Sequence, residues 1–250
     1  MGYDQMNINM AAFRTIKSFV LRKGRMTKAQ TLALKTLWPN YGIDYSTGEV
    51  FESKKFFPKQ APTVLEIGFG NGQTLLQMAK QYPEVNFLGI EVYQAGIARL
   101  LMDLHSANIS NVRVISGDAI NILQDYIPDK SINIVQLFFP DPWPKTRHHK
   151  RRLIQSGFVS LISKKLLVGG IFHFATDWED YAKHALIVMK DDSNFVRLDN
   201  KVEDILLTPQ NANAHLLTRS TTKFELRGQK LGYDIYEFMY LLQNLFSNDF

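Results

Sequence analysis

The segment 63–72, TVLEIGFGNG, decides the fold of this 250-residue chain. Its first half is an apolar run typical of a short buried strand, and its second half places glycines at alternate positions, Gly68, Gly70 and Gly72. Glycine adopts backbone angles that other residues avoid, so this spacing predicts a tight turn between a strand and a helix. A dinucleotide-binding turn would read GxGxxG, but residue 73 is Gln73, which argues against a dehydrogenase.

Strand and helix patterns alternate on the C-terminal side of this turn. Helices are predicted over 72–82, 94–107, 119–125, 149–166 and 178–190, and strands over 63–67, 86–92, 112–116, 131–139 and 171–176. Two further strands, 221–228 and 233–242, are predicted to pair as a C-terminal antiparallel hairpin. This order predicts an α/β fold with a doubly wound, mostly parallel, seven-stranded sheet.

The chain is expected to divide into two parts. Residues 1–55 are interpreted as a basic N-terminal extension of irregular chain with short helical pieces, and residues 56–250 as the domain that contains the sheet. A hydrophobic fraction of 45% is enough to form the core of such a domain.

Acidic residues stand where ligands bind in such sheets, at the carboxyl ends of the strands. Glu66 lies just before the glycine turn. Glu91 lies near the end of the second predicted strand, 86–92, and Asp118 follows the third, 112–116. A carboxylate at Glu91 is predicted to accept hydrogen bonds from both hydroxyls of a ribose, and Asp118 from the amine of an adenine. With the three glycines, this set resembles the S-adenosylmethionine site of class I (Rossmann-like) methyltransferases.

A proline-rich loop, FFPDPWPK over 138–145, begins at the end of the fourth predicted strand, 131–139. The alternate prolines exclude helix and predict a rigid extended loop that carries Asp141 and Trp143. An acid beside an aromatic ring suggests a purine clamp, in which the ring stacks on the base and the carboxylate faces its edge. A proline-rich loop with a packed tryptophan is the alternative.

The charge is unevenly distributed although the net charge is only +5. Segments 11–43 and 142–176 hold 14 of the 29 basic residues and none of the acidic ones. This distribution suggests a surface that faces a polyanion, and the alternative is a pair of ordinary solvated helices. The run RHHKRR over 147–152 and the N-terminal basic arm are predicted to contact phosphates, at least in part.

The absence of cysteine restricts the chemistry. It excludes disulfides, thiolate metal sites and methyl transfer through an enzyme thiol. His148 and His149 have no third ligand at a suitable spacing, so no metal is expected. The sequence shows neither a membrane span nor a secretory signal, so a cytoplasmic protein without membrane association is expected.

Five motifs, in order along the chain, carry a specific family resemblance. They are LEIGFGNG, GIEVYQAGI, FFPDPWPKTRHHKRR, ATDWEDYA and TKFELRG. Together with RTIKSFVLRKGRMTKAQ near the N-terminus, they resemble the bacterial tRNA (guanine-N7)-methyltransferases over nearly the whole chain.

The resemblance implies a role for each matched residue. Glu66, Glu91, Asp118 and Asp141 would surround S-adenosylmethionine, and Asp141 would also be the catalytic acidic residue. Lys145, Asp177, Thr222, Lys223, Phe224 and Glu225 would bind the substrate. The resemblance also implies N7 of a guanine at position 46, in the variable loop of tRNA, as the methylated atom.

Two alternatives remain open from the residues themselves. A methyltransferase acting on another RNA, a small molecule or a protein would explain the glycines and acids, but a small molecule or a protein would not explain the basic segments. An RNA-binding protein with a vestigial cofactor site would leave the intact acids unexplained. The sequence is equally consistent with a monomer and a homodimer.

Overall fold

The computed structural model describes residues 18–19, 26–46, 48–198, 225 and 234–243. The helices are α1 (Lys28–Tyr41), α2 (Ser53–Phe56), α3 (Gln73–Gln81), α4 (Gln94–Ser106), α5 (Ala119–Asp125), α6 (Ser156–Lys165) and α7 (Glu179–Lys190), with a 3-10 helix at Thr146–Arg151. The strands are β1 (Gly42–Ile43), β2 (Thr63–Ile67), β3 (Asn86–Glu91), β4 (Val112–Ser116), β5 (Ile132–Phe138), β6 (Leu166–Thr176), β7 (Phe195–Arg197) and β8 (Tyr236–Leu242). In these ranges, no helix combines the length and the apolar character needed to cross a membrane.

The strands form one sheet in the order β1-β4-β3-β2-β5-β6-β8-β7. From β2 the chain moves outward through β3 and β4, and it then returns to place β5 on the other side of β2. The strand order therefore reverses between β2 and β5, and in such sheets a ligand binds beyond the carboxyl ends of the strands at that point. The predicted doubly wound, mostly parallel sheet is confirmed.

Alternate residues of the central strands feed two hydrophobic cores. Leu65 and Val135 pack with residues of α6 and α7 on one face. Val64 and Ile134 pack with residues of α3 and α4 on the other. Since both faces are covered, β2 and β3 are buried along their whole length, and most of their residues are apolar.

Helix α1 extends the second core, because its Leu34 and Leu37 pack against it. It begins with a capping box, in which the Thr27 hydroxyl accepts from the Gln30 backbone N–H and the Gln30 side chain accepts from that of Thr27. The chain then continues into β1, which pairs with β4 and forms one edge of the sheet. A 14-residue helix is thus present where only short helical pieces were predicted.

Two sequence predictions differ from the structure. The helix predicted over 149–166 is interrupted, because residues 152–155 leave helical geometry between the 3-10 helix and α6. The sheet ends in antiparallel strands near the C-terminus, as predicted, but β8 lies between β6 and β7, so both of its edges are occupied. The hairpin with 221–228 is therefore wrong, and Glu225, the one described residue of that segment, is helical.

Candidate active site

The glycine turn has the geometry that the sequence predicts. Gly68, Gly70 and Gly72 have φ angles of 73°, 58° and 70°, in the left-handed region that glycine tolerates best. The Gly68 N–H donates to the Ile90 carbonyl, which ties the turn to the end of β3. A β-carbon built on Gly68 or Gly70 would meet no atom within 4 Å, so this side of the turn faces open space that a ligand can fill.

Glu91 holds the turn in place from the end of β3. Its Oε2 accepts from the Gly70 N–H at 2.7 Å, and its Oε1 accepts from the Val92 and Tyr93 N–H groups at 2.6 and 2.9 Å. The carboxylate, predicted to bind a ribose, thus also orders the backbone around the cofactor site. That second role leaves no trace in the sequence, because it depends on how the turn folds back against β3.

Glu66 is buried directly below the turn, with 4% of its surface exposed. Its Oε2 has no hydrogen-bond partner among the residues that the structure describes. Burial, together with the nearby charge of Glu91, raises the pKa of Glu66 to about 8. An unpaired buried carboxyl group is costly, so a cationic or hydrogen-bond-donating ligand would relieve this cost.

Asp118 stands at the end of β4 and caps α5. Its Oδ1 accepts from the Ile120 N–H at 3.0 Å, and the side chain is half-buried. Next to it, the Gln94 amide donates to the Ser116 hydroxyl at 2.6 Å, which joins the beginning of α4 to β4. The acids at the ends of β3 and β4 thus lie on neighbouring strands, the separation expected for the ribose and base of one nucleoside.

These observations fit S-adenosylmethionine, which combines a nucleoside with a cationic sulfonium and an α-amino acid group. Gly68 and Gly70 leave room for a ligand close to the backbone, and Glu66 Oε2 has no hydrogen-bond partner among the described residues. Glu91 and Asp118 stand where the sequence predicts the acids for the ribose and the adenine. The described residues contain no cluster of histidine, aspartate and glutamate side chains that could hold a metal ion.

The proline-rich loop follows β5 and carries Asp141 next to the switch point of the sheet. It is not simply extended, as the prolines predict, because Phe139 and Trp143 have φ angles of 50° and 47°. Asp141, which stands between these two residues in the sequence, is half-buried. Its charge also contributes to raising the pKa of Tyr181 on α7, after the larger effect of burial, which places the carboxylate close to that helix.

The prediction that Trp143 stacks on the substrate purine does not agree with the structure. Only 9% of the residue is exposed, and its indole N–H donates to the Ser18 carbonyl at 3.1 Å. The Arg151 guanidinium lies 4.6 Å from the centroid of the ring, and His148 packs against it edge-on. Trp143 therefore packs the loop against the basic segment, as in the alternative interpretation.

The basic segment after the loop divides by exposure. Lys145, Arg147 and Lys150 are exposed, whereas Arg152 is buried. The acid-free stretch 142–176 is also not a single surface, because Lys165 lies at the opposite end of β6 and its Nζ contacts Asp129 at 2.7 Å. The charge pattern alone therefore overestimated the basic surface near the site.

The other predicted substrate residues lie in two places. Asp177 is half-buried between β6 and α7, at the same edge of the sheet as Asp141. Glu225 is half-buried, and Thr222, Lys223 and Phe224 lie outside the described residues. Their substrate roles stay predictions.

Sequence analysis missed a buried polar row across the sheet. Gln136 on β5 pairs in register with Glu66 on one side and His173 on the other. Neither amide atom of Gln136 has a hydrogen-bond partner within the described part of the chain, and the His173 ring contacts Glu237 at 2.6 Å. The signal was a glutamine and a histidine in the middle of two largely apolar strands, INIVQLF and LLVGGIFHFAT.

Comparisons with known proteins indicate the family of the chain. A family model described as "Putative methyltransferase" matches residues 60–238. The tRNA (guanine-N(7)-)-methyltransferase of Yersinia pseudotuberculosis serotype I is 47% identical over 232 residues, which cover 93% of both chains. The tRNA (guanine-N(7)-)-methyltransferase of Edwardsiella ictaluri is also 47% identical, over 93% of this chain and 94% of that one. An rRNA methylase structure from Streptococcus thermophilus aligns with a TM-score of 0.46 and 12% identity, over 76% of this chain and 91% of that one.

Proposed function

This chain belongs to the tRNA (guanine-N7)-methyltransferase family, and we propose that it transfers the methyl group of S-adenosylmethionine to N7 of a guanine in tRNA. The structural observation that carries the proposal is the open glycine turn above Glu66, whose Oε2 has no hydrogen-bond partner in the described ranges, next to the loop that presents Asp141. The target is the guanine at position 46 in the variable loop. The enzyme acts in the cytoplasm, where its tRNA substrate is found.

The cofactor is held by the acids and glycines around the turn. When bound, S-adenosylmethionine supplies an electrophilic methyl group that the N7 lone pair displaces from sulfur, so that S-adenosylhomocysteine leaves. Glu91 accepts from the ribose while keeping the turn folded through Gly70, and Asp118 accepts from the adenine amine. Glu66, ionised in the complex, lies below the turn and favours the positive charge of the ligand.

Asp141 acts on the base. Guanine N7 is an unprotonated hydrogen-bond acceptor at neutral pH and needs no general base, so the enzyme contributes position and electrostatics. The Asp141 carboxylate accepts from N1–H and the 2-amino group of guanine and so orients N7 towards the methyl group. The same negative charge stabilises the positive charge that develops on the purine.

The exposed basic residues beside the loop bind the tRNA backbone. Lys145, Arg147 and Lys150 face solvent close to Asp141, where they contact phosphates on either side of the target nucleotide. Asp177 lies at the same edge of the sheet and contacts the substrate from the side of α7.

Methyl transfer to matched tRNA transcripts tests the proposal. An unmodified transcript and its variant with adenine in place of guanine 46 are each incubated with labelled S-adenosylmethionine. The proposal expects label only in the first transcript. Equal labelling of both would refute position 46, and labelling of neither, with the cofactor still bound in calorimetry, would refute tRNA as the substrate.

A further inference from the structure

Arg152 differs from every other cation of the basic segment, because only 1% of its side chain is exposed. Its Nε donates to the Pro142 carbonyl at 2.9 Å, and its terminal nitrogens donate to the backbone carbonyl and the carboxylate of Asp180. The guanidinium also lies 5.1 Å from the centroid of the Tyr181 ring. We call this set of contacts the Arg152 brace.

The brace joins two parts of the candidate site. Pro142 directly follows Asp141, and Asp180 stands in the first turn of α7, close behind Asp177. One planar side chain thus fixes the loop that carries the proposed catalytic carboxylate relative to the helix beside the other substrate residue. The hydrogen bond from Arg152 lowers the pKa of Asp180, so the ion pair persists well below neutral pH.

The neighbouring backbone reinforces this connection. The Ile154 N–H donates to the Tyr181 hydroxyl at 3.1 Å, and the His184 ring contacts the Ile154 carbonyl at 2.8 Å. Both backbone polar groups of Ile154 are therefore directed to α7, in the stretch 152–155 where the chain leaves helical geometry.

We propose that Arg152 is a positioning residue for methyl transfer, which holds the Asp141 loop against α7, and that it is not a phosphate contact. The inference rests on the proposed function, and it separates the exposed Arg147 and Lys150, for RNA, from the buried Arg152, for the loop. The guanidinium is enclosed and its donors face Pro142 and Asp180, so it has no surface left for a phosphate. A lysine cannot replace it, because one ammonium group cannot reproduce the planar fork.

The conservative variant Arg152→Lys separates the two roles. A phosphate contact would survive it, since lysine also binds phosphate as a point charge. A lost brace leaves Asp141 misplaced, so we expect kcat at saturating tRNA to fall by about 10- to 100-fold. The dissociation constant for tRNA and its dependence on salt should stay near the wild-type values. Arg147→Ala should instead weaken tRNA binding and reduce the salt slope by about one.

Arg99→Lys is the matched control, because Arg99 also pairs with an aspartate, Asp103, but on the exposed surface of α4. We expect this variant to match the wild-type kcat. Asp180→Ala removes the carboxylate that Arg152 contacts. Because the Asp180 side chain is 60% exposed, this variant should fold, and it tests the positioning role even if Arg152→Lys does not fold. We expect Asp180→Ala to lower kcat, as Arg152→Lys does, and to bind tRNA as the wild type does.

Hydrogen exchange of the loop 139–145 provides a readout that does not depend on turnover. We expect faster exchange in Arg152→Lys and in Asp180→Ala, and wild-type exchange in Arg99→Lys. The inference is overturned if both brace variants keep the wild-type kcat and exchange, or if Arg152→Lys changes the salt slope as Arg147→Ala does. A wild-type enzyme that methylates no tRNA would instead refute the proposed function, while the exchange data would still test the brace.

Discussion

Gly68→Ala tests whether the open side of the glycine turn is the cofactor site. Gly68 has a φ of 73°, so alanine there places its β-carbon in a left-handed backbone at a cost of about 1–2 kcal/mol of stability. The new β-carbon meets no protein atom within 4 Å. It therefore projects into space that the ligand would occupy, and an added carbon in a filled space costs about 1–3 kcal/mol.

Calorimetric titration with S-adenosylmethionine measures the loss of binding free energy that the added β-carbon causes. We expect a dissociation constant roughly 10- to 100-fold larger for Gly68→Ala than for wild type. Gly48→Ala is a matched control, since Gly48 also has a positive φ, 92°, and open space around it, but lies in a turn before α2. Both variants should lose similar stability, and only Gly68→Ala should lose affinity. If the two variants bind the cofactor equally well, the proposed location of the cofactor is wrong.

Three further predictions concern other parts of the site. Asp141→Asn should reduce kcat by about 10²- to 10³-fold and leave cofactor affinity almost unchanged, because it removes the charge that favours the cationic purine. An equal loss of kcat, measured by kinetics, and of cofactor affinity, measured by calorimetry, would contradict that role. Since burial raises the pKa of Glu66 from 4.5 to about 8, the folded state holds the proton more tightly than the unfolded state, and the stability of the ligand-free protein should fall as pH rises from about 4.5 to about 8. Urea titrations should show that Glu66→Gln, which stays neutral, loses this part of the slope, and an unchanged slope would exclude Glu66 as its origin. Deletion of residues 1–25, which keeps the Thr27 cap of α1, should raise KM for tRNA several-fold in steady-state assays, and an unchanged KM would show that the arm does not contact the substrate.

The sheet and the position of three acids at its carboxyl edge could be predicted because their signals are local. Apolar runs between turns predicted β2 to β5 to within one or two residues, and the glycine spacing predicted the turn. Glu66, Glu91 and Asp118 followed from the rule that ligands bind at the carboxyl ends of strands. Each of these inferences needs only neighbours in the sequence.

The roles of Trp143 and Arg152 could not be predicted because their partners are distant. The Trp143 indole bonds to Ser18, 125 residues away in the sequence, and Arg152 bonds to α7. In the sequence, an aromatic ring beside an acid indicates a base clamp and an arginine among cations indicates phosphate binding. Only the packing of the loop between the 3-10 helix and α7 shows that both side chains are enclosed.

The short strands were missed for a similar reason. β1 has two residues and β7 has three, which is too few for an alternating pattern to be recognised. β7 pairs with the edge of β8 that β6 leaves open, which is the position that the predicted partner 221–228 would have taken.

Mapping the methylated atom tests the central claim most directly. A tRNA transcript treated with the enzyme and S-adenosylmethionine is reduced with borohydride and cleaved with aniline, which cuts the chain at 7-methylguanosine. The account predicts a single cut at guanine 46, and no methyl transfer to a transcript that carries 7-deazaguanosine at that position, because it lacks the nitrogen that attacks. Methyl transfer without cleavage, or transfer to the 7-deazaguanosine transcript, would show that the enzyme methylates another atom and would contradict the account.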